Sequence, residues 1–126
     1  MLMTRVLGVG CRQGCPAEEL AELALAVLQE ANCPVETLTA LATITGRLDE
    51  PAVQALAQGW RLPLRGFPAD QLARQAGVST PSPTVQQHTG SPSVAEAAAL
   101  LAAGSGARLT VAKRKSPAAT AALAYA

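Results

Sequence analysis

Arg5-Val-Leu-Gly-Val-Gly-Cys-Arg-Gln-Gly-Cys-Pro16 is the stretch on which the fold turns. Its first half is a short apolar run that stops in glycines, the pattern of a buried strand entering a tight turn. Its second half opens a helix. Pro16 suits the first helical position, Glu18 and Glu19 favour the positive end of the helix dipole, and Leu20, Leu23, Val27 and Leu28 fall on one face. Asn32 and Pro34 end that helix.

Downstream the alternation repeats. Residues 35–41 are β-compatible, and Asp49-Glu50-Pro51 starts a second helix carrying Val53, Leu56 and Ala57 up to Gly59. Residues 62–65 make a third short strand, and Pro68 opens a short helix closed by Gly77. Residues 78–92, VSTPSPTVQQHTGSP, break the rhythm and read as a functional loop. Ser93-Val-Ala-Glu96 is a capping box, with Ser91-Pro92 as a competing start, before an Ala-rich helix that ends at Gly104. Val94, Ala98 and Leu101 form its narrow apolar stripe, and the small neighbours Ala95, Ala97 and Ala99 permit close docking on a sheet. Residues 107–112 then read as a strand, 113–117 as a turn and 119–125 as a last strand. The expected fold is α/β: one domain over residues 1–126, with three α/β/α layers, a mostly parallel sheet and a C-terminal β-hairpin.

Composition narrows the function. With 10 Lys+Arg against 9 Asp+Glu and no basic face, the chain has little electrostatic footprint for nucleic acid. No apolar run reaches the roughly 18 to 20 residues of a membrane span, and the N-terminal residues lack the long apolar core of a secretory signal. Cys11, Cys15 and Cys33 form an odd set without zinc-ligand spacing, which points to a reducing cytoplasm and to no metal site. No cofactor motif is complete. Alanine accounts for 27 of the 126 residues and aromatics for 2%, so the expected core relies on close backbone approach rather than bulky side chains.

In parallel sheets ligands bind beyond the carboxyl ends of the strands. That rule gathers residues 10–15, 43–49, 66–67 and 113–116 on one rim, with the loop around 80–90 able to close over them. In the first turn, Gly10, Gly14 and Arg12 resemble an anion cradle at a helix start. Cys11 is either a nucleophile whose pKa the helix start and Arg12 lower, or a small buried strand-end residue. A dinucleotide turn fits poorly, because Gly-x-Gly-x-x-x-Gly is one residue too long and no acid ends the second strand. The Cys-x-x-x-Cys spacing likewise departs from thioredoxin-like redox motifs. His88 is either an acid or base, or a solvated loop residue; Asp49 and Glu50 read as helix-start charges. Lys113-Arg-Lys115 is either a solvated turn or a second anion contact, and Ser116 and Thr120 either donate to the same ligand or shape the turn.

These residues resemble a known family. Gly8-Val-Gly-Cys-Arg-Gln-Gly14, Asp49-Glu50-Pro51, Thr80-Pro-Ser82 with Val85 and Gly90, Ser93-Val-Ala-Glu-Ala-Ala-Ala-Leu-Leu101 and residues 113–120 are similar to the family of CobE proteins and CbiG C-terminal domains, of cobalamin (vitamin B12) biosynthesis. The likeness spans nearly the whole of residues 5–125, and the chain has no room for the N-terminal regions of CbiG, which favours the stand-alone CobE branch. It implies an α/β domain of the aerobic pathway that binds a precorrin or corrin intermediate as a carrier or accessory protein. The alternative it implies is a hydrolase or isomerase on such an intermediate, as CbiG is on its lactone, with Cys11, Arg12 and His88 as catalytic candidates. Other cobalamin-pathway enzymes are the implied partners. Two departures stand out: Thr45 and Arg47 replace the Asp and Lys expected before the Asp-Glu pair, and Cys15-Pro16 replaces a hydroxyl-bearing cap. The missing acid at position 45 weakens a general base there, while Arg47 keeps the charge. A corrin precursor is a wide, flat ring fringed with carboxylates, so its site needs a broad apolar surface with anion contacts. The contacts implied are Gly10, Cys11, Arg12, Gly14, Arg47, Thr80, Ser82, Gly90, Ser93, Lys113 and Ser116.

Overall fold

The first strand, β1 (Arg5–Cys11), leads into α1 (Ala17–Glu30), with Pro16 just outside the helix in extended conformation. The computed structural model describes residues 3–75 and 93–126. The remaining elements are β2 (Ala40–Ile44), α2 (Pro51–Trp60), β3 (Leu64–Phe67), α3 (Ala69–Ala73), α4 (Val94–Ala103), β4 (Arg108–Lys115) and β5 (Ala119–Tyr125).

Most elements form where the sequence puts them, and the shifts have local causes. Residues 35–37 coil into a 3-10 turn held by the Thr37 hydroxyl on the Pro34 carbonyl at 2.7 Å, so β2 starts only at Ala40. Helix α2 runs through Gly59 and stops at Arg61, whose left-handed φ of 55° ends the helix and delays β3 by two residues. Strand β4 continues to Lys115, leaving a tighter turn than residues 113–117 suggested. The expected end of α3 at Gly77 lies outside the described residues.

The sheet order is β3-β2-β1-β5-β4. Pairs β1·β2 and β2·β3 are parallel, whereas β1·β5 and β4·β5 are antiparallel. The sheet is therefore mixed: the expected α/β fold and C-terminal hairpin form, and the expectation of a mostly parallel sheet is met in part. Four strands still point one way, but the reversed strand β5 is inserted between β1 and β4. Burial explains the placement. Ala121, Ala122, Leu123 and Ala124 are covered on both faces, which demands an interior position, while β4 carries Arg108, Lys113, Arg114 and Lys115, charges that suit and protect an edge.

Helices cover both faces, so the three layers form. Leu7, Val9, Leu41 and Leu123 pack with Leu20, Val27, Leu28 and Val53 of α1 and α2. Val6, Ala42 and Ala124, on the opposite face, pack with Leu72 of α3 and with Ala97, Ala98, Ala99 and Leu100 of α4. Here Gly8 decides the spacing: a Cβ on it would lie 1.9 Å from the Ala95 carbonyl oxygen and 2.8 Å from the Ala99 nitrogen. Gly8 thus serves helix docking, and α4 is buried on nearly every side rather than along one narrow stripe. Its start is as expected, with the Ser93 hydroxyl accepting the Glu96 N–H at 3.2 Å.

Candidate functional site

Because β5 runs against the others, its first residues reach the same rim as the carboxyl ends of β1, β2 and β4. A cavity of about 540 Å³ opens there. Gly10, Cys11 and Arg12 wall it from β1, Ile44, Gly46 and Arg47 from the end of β2, and Ser93 and Val94 from the start of α4. Lys113, Lys115 and the hairpin turn through Thr120 complete it. Four basic side chains and no acidic one stand among its described lining residues, over an apolar floor of Ile44, Val94 and Ala119.

The basic run of β4 is split by two irregularities. Register with β5 slips between Leu109 and Val111 and again between Val111 and Arg114, each slip inserting one residue. Val111 belongs to the α1 face, and after the second slip Arg114 does too, where it pairs with Glu30. Lys113 and Lys115 consequently line the cavity. The backbone N–H of Lys113 donates to the buried carboxylate of Glu96 at 2.8 Å.

Arg47 is anchored by its Nε, which donates to the Cys11 carbonyl at 2.8 Å. Arg12 is exposed, with its backbone N–H on the Ala118 carbonyl at 2.9 Å. Glu19 holds the hairpin turn by accepting the Ser116 hydroxyl and the Ala118 N–H, contacts that lower its pKa together with nearby Arg12. The Ser116 proton is therefore spent on the turn, although the residue lines the cavity. Thr120 points its hydroxyl toward the Gly10 carbonyl at 3.5 Å.

Gly14 is not in this cavity. With φ at +81°, it gives its N–H to Glu50 Oε1 at 2.8 Å, so the turn's anion partner is the protein's own carboxylate. Gly14 and Glu50 line a neighbouring depression of about 600 Å³ that shares Gly46 and Arg47 with the first. Glu50, expected as a plain helix-start charge, is buried and locks the turn. Of the two readings of Cys11, its surroundings favour the small buried strand-end residue. Burial, then Cys15 and Glu50, push its pKa up to about 11 against the opposing pull of Arg47, so the thiol is protonated at neutral pH. Burial raises Cys15 as well, and all three cysteines are free.

The structure therefore brings Gly10, Cys11, Arg12, Arg47, Ser93, Lys113 and Ser116 together and sets Gly14 beside them. Thr80, Ser82, His88 and Gly90 lie outside the described residues. Sequence reasoning weighed Lys115 only within the basic run 113–115 and Ile44 only within the rim segment 43–49, and it read Val94 as a helix-stripe residue and Glu96 only as a cap. Lys115 follows from strand alternation once Lys113 is placed; the slip that places Lys113 leaves no local signature. Among the described residues no group of three His, Cys, Asp or Glu side chains could hold a metal ion, and no helix is long and apolar enough to cross a membrane.

An α/β sheet with a basic cavity at its strand ends defines the class, and the family model described as "Cobalamin synthesis G C-terminus" matches residues 5–124. The chain belongs to this CobE / CbiG C-terminal family of cobalamin biosynthesis. It is 42% identical over 120 residues to Protein CobE of a Sinorhizobium species, covering 94% of this chain and 78% of that protein. The crystal structure of CobE, a protein from the cobalamin (vitamin B12) biosynthetic pathway, superposes with a TM-score of 0.84 at 37% identity, covering 100% of this chain and 92% of that one. The cobalt-precorrin-5A hydrolase of Priestia megaterium is 30% identical over 112 residues, but the 87% of this chain that aligns spans only 29% of that enzyme.

Proposed function

We propose that this protein acts in the cytoplasm and binds a precorrin or corrin intermediate in the basic cavity, as a carrier or accessory protein of the aerobic pathway. The observation that carries the reading is the placement of Arg12, Arg47, Lys113 and Lys115 around an apolar floor, with no carboxylate among the described lining residues. A flat apolar macrocycle bearing acetate and propionate groups matches that arrangement: the ring covers the floor and the carboxylates meet the cations. The 540 Å³ volume lies within the range of small-molecule sites. Membership of a cobalamin family supplies the pathway.

Titration with hydrogenobyrinic acid, followed by corrin absorption and by co-elution, tests the proposal. Saturable binding that weakens with salt is expected; an unchanged spectrum together with separate elution would sink it.

The hydrolase reading rests on the name of the relative from Priestia megaterium. A protonated Cys11 counts against a resting thiolate nucleophile, and the buried carboxylates nearby, Glu50 and Glu96, already accept backbone amides. Cys11→Ala is expected to leave pathway flux unchanged in cells carrying the variant.

A further inference from the structure

Glu96 lies in the first turn of α4 with no exposure to solvent. A buried carboxyl group is costly unless hydrogen-bonded. One of the contacts of Glu96 is with β4. Ala112 and Lys113 stand outside the β4·β5 register, between the Val111↔Leu123 and Arg114↔Ala121 pairs. The Lys113 N–H leaves the strand ladder and is taken by Glu96 Oε2 at 2.8 Å. Had the strand kept its period of two from Val111 onward, residues 113 and 115 would face α1 and Arg114 would stand over the cavity.

We infer that Glu96 is a positioning residue of the ligand site. By capturing the amide that the slip releases, it holds the strand in the frame that turns Lys113 and Lys115 into the cavity and Arg114 toward Glu30. Two walls of cations result: Arg12 and Arg47 on the β1 and β2 side, Lys113 and Lys115 on the β4 side. The site thereby becomes specific for a ligand with carboxylates on two opposite edges. This inference rests on reading the cavity as a carboxylate site.

Hydrogenobyrinic acid is the probe, titrated at several salt concentrations against the wild type and variants. Glu96→Ala is expected to weaken binding about tenfold and to flatten the salt dependence, as removal of the paired cations would. Lys113→Ala/Lys115→Ala should do the same, and adding Glu96→Ala to that pair should cost less than about twofold more, because the two changes act through one element. Glu96→Gln, whose amide oxygen accepts the same N–H, should bind within about threefold of wild type. A Glu96→Ala protein that melts earlier yet keeps wild-type affinity and salt dependence would overturn the inference, as would a Glu96→Gln protein no better than Glu96→Ala. Should Glu96→Ala fail to fold, wild-type amide exchange decides: slow exchange at Lys113 is expected, and exchange at the rate of an open amide overturns the anchor. If the wild type binds no probe, the ligand reading falls, while the exchange rate still tests the anchor by itself.

Discussion

The two faces of one sheet are packed by opposite means. Toward α1 and α2, Leu7, Val9 and Leu41 interlock with Leu20, Val27, Leu28 and Val53, so contact comes from side-chain volume. Toward α4, β1 presents Val6, Gly8 and Gly10, and the helix answers with Ala95 and Ala99, so contact comes from missing volume. The lesson is one of tolerance: the first face suffers when atoms are removed, the second when they are added.

Neighbouring residues of β1 separate these regimes. Gly8→Ala should be the most damaging single change, at about 4 kcal/mol or more by urea unfolding, because its methyl group meets backbone that cannot rotate away. A loss below about 1 kcal/mol would show that α4 is free to lift off the sheet. Leu7→Ala, one position earlier and on the other face, should cost about 3 kcal/mol through the cavity it leaves. Gly10→Ala should be milder, about 1 kcal/mol, since its methyl meets the Thr120 hydroxyl, a side-chain atom that can turn aside. Its main effect should fall on ligand affinity, because Gly10 lines the basic cavity.

Smaller effects follow from the faces of β4. Arg114→Ala should leave affinity for hydrogenobyrinic acid unchanged, since Arg114 pairs with Glu30 on the α1 side; a fall matching that of Lys113→Ala would contradict the assigned frame. Cys11 supplies a pH test. An acid whose folded pKa is raised keeps its proton while the unfolded chain loses it, so the stability it contributes is present below pH 9 and is lost as pH rises through about 11. Alkylation of Cys11 by iodoacetamide, read on the peptide that trypsin cuts at Arg12, should keep accelerating beyond pH 9. A plateau near neutrality would reveal a thiolate.

Much of this was legible in the sequence, for stated reasons. The order of elements followed from the apolar spacing at Leu20, Val27 and Leu28 and from the caps at Pro51 and Ser93, all local signals. The rim followed from a rule about strand ends, and Arg12, Arg47 and Lys113 gather there. What stayed hidden depends on distant partners. Gly8 reads alike whether it serves a ligand turn or a docking helix, because that helix lies some 85 residues downstream. The position of β5 depends on which hairpin strand is buried on both faces, and the second β4 slip accompanies a bond from the Lys113 amide to Glu96 on another element. Glu50 looked like a helix-start charge because its partner, the Gly14 amide, belongs to another turn.

The pairing of β1 with β5 has a kinetic and thermodynamic consequence. Gly10 faces Thr120 across 110 residues of chain, and the same ladder continues to backbone bonds between Thr4 and Ala126. Contacts so distant in sequence form late, since the entropy of closing the intervening loop must be met before they stabilise anything. Both partners also wall the cavity, so no contiguous fragment can present it. A molecule that fills the cavity binds only the closed sheet, and by mass action it draws the whole folding equilibrium toward that sheet.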